Sequence, residues 1–312
     1  MVTKTKKKKV HHFVHDAYID SWRVQGRMFV FDLIEKHSFD PTGRNSVGGS
    51  GKYNNFTFDD SVISLLNYTF EERARRQESG GIYDVMLAFT NFMKDFDYEH
   101  KTENFLEDFY GEFEKNIAYA MQSVFNGELQ IVSQDPRVFD GLIFFYCLQF
   151  MRTPKTRRKL SEYMTEASYP GARLDAQQKE EYVKMHLLII SLAMTRDILS
   201  KGCAIRLSYA RYGEKFLNSD DPVIPLSKNI ERIEAHQGCV PLSPRLLMEV
   251  DNIGLGRRLF FYDDIENQEV KKINYMMVGN ADRMVYFSSR NQRAKYMDLM
   301  MATHRKGSVK KS

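Results

Sequence analysis

Cysteine is scarce in this chain. Cys147, Cys203 and Cys239 lie far apart and fit no C-x-x-C spacing, which excludes a disulfide framework or a zinc ribbon as the basis of the fold. Long apolar runs are also missing: the longest, Gly141 to Phe150, is about half of what a membrane helix needs. The basic N-terminus has neither an apolar core nor a cleavage site, so no secretory signal and no membrane contact are expected. Together with the cysteine usage, this places the protein in the reducing cytoplasm. Charge of one sign is lacking as well, since 45 Lys+Arg against 41 Asp+Glu leave a net +4. Much of that excess sits in Lys4, Lys6 to Lys9, Arg305, Lys306, Lys310 and Lys311. The body is therefore near neutral, and a nucleic-acid partner would be met through the Lys-rich termini. Short lysine tails also stay solvated with no partner at all. Oligomeric state is not encoded in any of these features.

Signature motifs of common chemistries are absent too. Gly51-Lys52-Tyr53 fails the ending of a phosphate-binding loop, and no H-E-x-x-H occurs. Ser219 and Ser243 lack the G-x-S-x-G setting of a hydrolase nucleophile.

What is present is a large core: 312 residues with 43% hydrophobic and 28% charged side chains. The 22 Phe and 17 Tyr fall mostly at core spacing and read as packing rather than base-stacking platforms. The expected organisation is a basic tail over 1–9, a single α+β domain over 10–302 and a second basic tail over 303–312. Within the domain the helical part covers about 58–200 and the sheet parts about 10–33 and 203–290. The fold class is α+β, a mostly helical bundle with a small mixed or antiparallel sheet made by an N-terminal hairpin and C-terminal strands.

Val10–Leu33 is expected to be extended, a hairpin of His12–Val14 and Arg27–Leu33 around Gln25-Gly26, and the glycine-rich Ser38–Asn55 to be an irregular loop. Phe105, Phe109, Phe113, Ile117, Ala120, Met121 and Val124 form one stripe of a long helix, stopped at Gly127. Asp135-Pro136 starts the next helix, apolar nearly all round and so central, and Pro154 ends it. A third helix covers Ala176–Ser200, with Gly202 past its end. Short strands are expected at Ala204–Tyr209, Lys215–Asn218 and Leu246–Val250. After them come a helix at Asn267–Asn280, a strand at Met284–Phe287 and a helix at Asn291–Met301.

The oddity in this plan is Gln149 and Arg152, two polar groups one turn apart on the oily central helix. They share a face, and a buried charge there needs a partner, for which Glu114 is a credible counter-charge. The plainer reading is a salt bridge locking two helices. Arg157 and Arg158 follow Pro154, where they could grip a phosphate or simply face a helix end. Asp220, in Ser219-Asp220-Asp221-Pro222, could bind a metal or act as a base; it could equally close an Asx turn. His12 belongs to a histidine group, His11, His12 and His15, whose strand spacing does not make a three-histidine metal site. One histidine with Asp220 and Glu114 would suit a divalent metal or an acid–base pair. Asn274 and Arg283 lie near a helix-to-strand return, where they complete a polar centre or cap the helix.

Gln149-x-x-Arg152-Thr153-Pro154-x-x-Arg157 resembles the pattern Q-x-x-R-T-P-x-x-R of the prokaryotic domain of unknown function 4238 family. His12-Phe-Val-His15-Asp-Ala-Tyr18-Ile19-Asp-Ser-Trp22 resembles that family's opening, with His15-Asp16 in place of its Pro-Gln. Phe216 to Val223 is similar to its F-x-T-S-D-x-P-V, with Asn218 in place of Thr. Pro241-Leu242-Ser243-Pro244 is similar to its P-L-S-P, and Ile273-Asn274 with Ala281 to Tyr286 to its ending. The resemblance covers about residues 10 to 290 and implies no established activity.

Two functions are compatible with this sequence. One is a hydrolase of nuclease or phosphohydrolase type acting on nucleic acid or another phosphate-bearing substrate. Its catalytic groups would be His12, Glu114 and Asp220, and its substrate-binding groups Gln149, Arg152, Arg157, Ser219, Asn274 and Arg283; a divalent metal cofactor would be admissible. The other is a non-enzymatic binding or regulatory module whose polar motif residues form a buried structural network.

Overall fold

The computed structural model describes residues 11–12, 16–40, 49–50, 61–62, 64–66, 68–69, 105–166, 174–226 and 237–303. The lysine-rich ends lie outside the described residues. The elements run in the order β1 (His11–His12), α1 (Asp16–Asp20), β2 (Phe29–Asp32), β3 (His37–Phe39) and β4 (Gly49–Ser50). Helical residues at 61–62, 64–66 and 68–69 follow. Then come α2 (Phe105–Phe125), α3 (Leu129–Gln134), α4 (Pro136–Met151), α5 (Pro154–Glu166) and α6 (Ala176–Lys201). The C-terminal part holds β5 (Cys203–Tyr209), β6 (Asn218–Ser219), β7 (Ile224–Pro225), β8 (Gln237–Ser243), β9 (Leu246–Asn252), β10 (Arg258–Asp264), α7 (Asn267–Asn280), β11 (Met284–Phe287) and α8 (Arg290–Thr303). The fold is α+β.

The helix α4 is the centre of the helical layer, packed between α2 and α6. Asp135 caps it by accepting from Arg137 N at 2.9 Å, and Pro136 fills the first turn, where no N–H is needed. Twelve of its sixteen residues are buried, so it has neighbours on every side. Burying a side chain such as Phe145 contributes about 1.5–3 kcal/mol. The expected stop at Pro154 is also a start: Thr153 Oγ1 accepts from Thr156 N at 3.2 Å, and Pro154 opens α5. That helix escapes a sequence reading because its segment is polar on most faces. The next helix, α6, begins with a reciprocal capping box between Asp175 and Gln178. It ends at Gly202 in a positive-φ conformation, where an added Cβ would collide with the Arg257 backbone.

Two main sheets replace the single small one expected. One has the order β3-β2-β11-β6, all antiparallel, and joins the N-terminal hairpin to the C-terminal strand β11 through pairs such as Val285 with Phe31. The other has the order β10-β5-β9-β8-β7 and is antiparallel except for the parallel β10–β5 pair. The buried apolar side chains of both sheets and of the helices form one cluster.

The N-terminal hairpin also differs from expectation. The Gln25-Gly26 turn is present, with φ of 54° and 75°, and closes a bridge between Val24 and Arg27. Between β1 and that turn, however, the expected extended chain is the helix α1, since Tyr18, Ile19 and Trp22 reach the core at helical spacing. The partner of β2 is β3, at the start of the expected Ser38–Asn55 loop, and β1 pairs with β4. The expected strand Lys215–Asn218 shrinks to β6 because side chains take its ladder groups. Leu217 N donates to Asn274 Oδ1 at 2.7 Å, and Lys215 O accepts from Asn274 Nδ2 and Gln292 Nε2.

Candidate functional site

The segment from Asn218 to Asp221 is buried throughout. Asp220 holds the turn into β11: its Oδ1 accepts from Asp282 N at 3.0 Å and Arg283 N at 3.3 Å. Its Oδ2 accepts from Arg283 N at 2.9 Å and Met284 N at 3.1 Å. Burial, aided by the Asp282 carboxylate, raises the Asp220 pKa to about 7 against the pull of those three N–H groups. Ser219 Oγ donates to Asp221 O at 2.9 Å, completing a local turn.

The first turns of α5 clamp onto this segment. Lys155 Nζ lies 2.8 Å from Asp221 Oδ2 and donates to Asn280 O at 2.8 Å. Burial raises the Asp221 pKa, and Lys155 works against it. Three residues further along the helix, Arg158 forks onto Asp282. Asn280 Nδ2 donates to Asp221 O at 2.7 Å and Val223 O at 3.0 Å, tying the end of α7 to the same turn.

Two further motif residues are occupied by the scaffold. Asn274 is fully buried; besides accepting from Leu217 N, its amide donates to Lys215 O at 2.8 Å and Tyr296 Oη at 2.9 Å. Arg283 Nε pairs with Asp32 Oδ2 at 2.7 Å. Burial alone would raise the Asp32 pKa, but the N–H groups of Glu35 and Ile34 and the Arg283 guanidinium outweigh it and hold it below the usual carboxylate range. Arg157 faces α6 instead, pairing with Glu180 at 2.5 Å.

The polar face of α4 is different. Phe145, Gln149 and Arg152 follow at i+4 and i+3 and so share one face. Phe145 meets the edge of the Tyr18 ring at 5.2 Å between centroids. The Tyr18 hydroxyl donates to Pro241 O at 2.6 Å and lies 3.0 Å from Asn218 Oδ1. Two contacts thus anchor the β6 segment, Tyr18–Asn218 and Lys155–Asp221. Gln149 is 0% exposed, and neither of its polar atoms has a hydrogen-bond partner among the described residues. The same holds for Asn218 Nδ2 and the Tyr286 hydroxyl, and Tyr286 faces Asn218 across the β11–β6 ladder. Burial, with Asp220 adding to it, raises the Tyr286 pKa well above its ordinary value, so its hydroxyl stays protonated.

His12 lies on β1 and Glu114 on α2, but their side chains lie outside the described residues. Among the described residues no group of three or more His, Cys, Asp or Glu side chains is placed to hold a metal. All three cysteines are buried, and burial pushes the Cys147 and Cys203 thiols up to about 12, so neither is a ready nucleophile. No described helix is long and apolar enough to cross a membrane. Sequence reasoning missed Asp32, Lys155 and Asn280 as partners, because they bond across separations that no local pattern encodes.

No curated protein and no solved structure matches the chain. Residues 10–291 match the model of the family described as Protein of unknown function (DUF4238). With Asp220, Asp221, Asn274 and Arg283 tied into the scaffold at the motif positions, and with that match covering most of its length, the chain belongs to the DUF4238 family.

Proposed function

We propose that this chain is a non-enzymatic binding module in which the family's polar residues have two jobs. Asp220, Asp221, Asn274 and Arg283 form the structural network. Gln149 supplies the hydrogen-bonding group for a small molecule, its unpaired carboxamide. The observation that carries this reading is the Gln149 carboxamide, fully buried with both polar atoms unpaired among the described residues. An unpaired buried amide costs about 1–3 kcal/mol, and its adjacent donor and acceptor match a ligand edge carrying the complementary pair, as an amide or a nucleobase does. The hydrolase alternative would use Asp220 as acid or base, and both oxygens of Asp220 already accept from backbone N–H groups.

The test uses the full chain. Gln149→Leu is expected to raise the melting temperature, because it removes an unpaired amide, and to abolish the thermal shift that an amide or nucleobase ligand gives the wild type. A lower melting temperature in Gln149→Leu would assign the carboxamide to the scaffold. Mg²⁺- or Mn²⁺-dependent hydrolysis of an oligonucleotide or of p-nitrophenyl phosphate, lost in Asp220→Asn at unchanged melting temperature, would restore the enzyme reading.

A further inference from the structure

A cavity of about 620 Å³ opens between α2, α4, α6 and the start of β10, within the size range of small-molecule sites. It lies on another face of α4 from Gln149: Phe144 on its floor is five residues before Gln149, roughly 140° around the helix. The floor is apolar, made by Ile117, Phe144, Leu192 and Leu199. Gly141 deepens it. A Cβ there would meet Ala120 Cβ and Asn116 O, each at 3.3 Å, so glycine lets α2 and α4 approach closely at the base.

The wall is cationic. Arg137, Arg196 and Arg258 face Asp140 as the one carboxylate among the lining residues. Two of the arginines are committed: Arg137 to Asp135 at 2.8 Å and Arg258 to Asp140 at 2.9 Å. Arg196 is exposed and carries no ion pair among the described residues. An apolar floor beside a guanidinium with an open fork suits a ligand with an aliphatic tail and a planar anionic head.

We propose that this cavity binds a long-chain carboxylate, its tail on Ile117, Phe144, Leu192 and Leu199 and its head on Arg196. The site stands whether or not the Gln149 region binds a ligand.

The experiment is calorimetric titration of the full chain with dodecanoate and, as the uncharged control of equal length, dodecanol. Dodecanoate should saturate at one molecule per chain and bind more tightly than dodecanol. Arg196→Gln should weaken dodecanoate about tenfold, the worth of one charge-assisted contact, and leave dodecanol unchanged. Ser200→Trp, at an exposed position on the rim, should block both ligands with the melting temperature retained. Equal dodecanoate affinity in wild type and Arg196→Gln would overturn the proposal. So would uptake of many molecules without saturation, or undiminished dodecanoate binding in Ser200→Trp.

Discussion

Asp220 is the residue where burial and hydrogen bonding pull hardest against each other. Its folded pKa of about 7 lies above the ordinary 3.8, so below pH 7 the folded chain holds a proton that the unfolded chain releases. The stabilisation from that proton is fully present below about pH 4 and is lost as the pH rises through 7. Thermal melts across this window should show wild-type stability falling with pH, and Asp220→Asn should flatten that part of the profile. An identical slope in the variant would mean that Asp220 does not titrate there. Gln149 is the opposite case, a neutral group whose cost does not depend on pH, so the gain in Gln149→Leu should be the same at every pH in the series.

Among the elements, α5 shows how a polar helix earns a fixed place. Lys155 and Asp221 are 27% and 10% exposed at the side chain, whereas Arg158 and Asp282 are 53% and 18%. Removing a partner of the more buried pair leaves a charge poorly solvated. Lys155→Met should therefore cost about 1–3 kcal/mol in denaturant unfolding, and Arg158→Ala no more than about 1 kcal/mol; the reverse order would contradict this account of the clamp. In β8, a Cβ at Gly238 would drive into the Tyr146 hydroxyl and reach 2.8 Å from Ile224 O. Gly238→Ala should cost about 1–3 kcal/mol through overpacking, and an unchanged melting temperature would show that Tyr146 can move. The same glycine, with Pro241, breaks the strand pattern of β8, so no strand is expected there from sequence. Likewise β10 sits at a sheet edge with much of both faces exposed, so it lacks the alternation that marked β5 and β9. By contrast α4 was legible, because its cap Asp135, Pro136 and apolar length all point the same way.

For the whole molecule, the main misreading was the number of sheets. The local pattern of β2 and β11 shows that each wants a neighbour, but not that β5, β8, β9 and β10 assemble apart from them. The site divided along the same line. Gln149 and Arg152 stood out as polar groups on an apolar helix, a purely local signal. Their setting depends on contacts such as Arg283 with Asp32, 251 residues apart, and Lys155 with Asp221, 66 apart. On this account the family's residues are first a framework linking α5, α7, β6 and β11, and any binding is built on it. The most direct test is the unfolding free energy of Asp220→Ala. Loss of about 1–3 kcal/mol is expected, because three partly buried backbone N–H groups lose their acceptor. A change within about 0.5 kcal/mol, the range of an ordinary surface substitution, would contradict the structural role and return Asp220 to the candidates for chemistry.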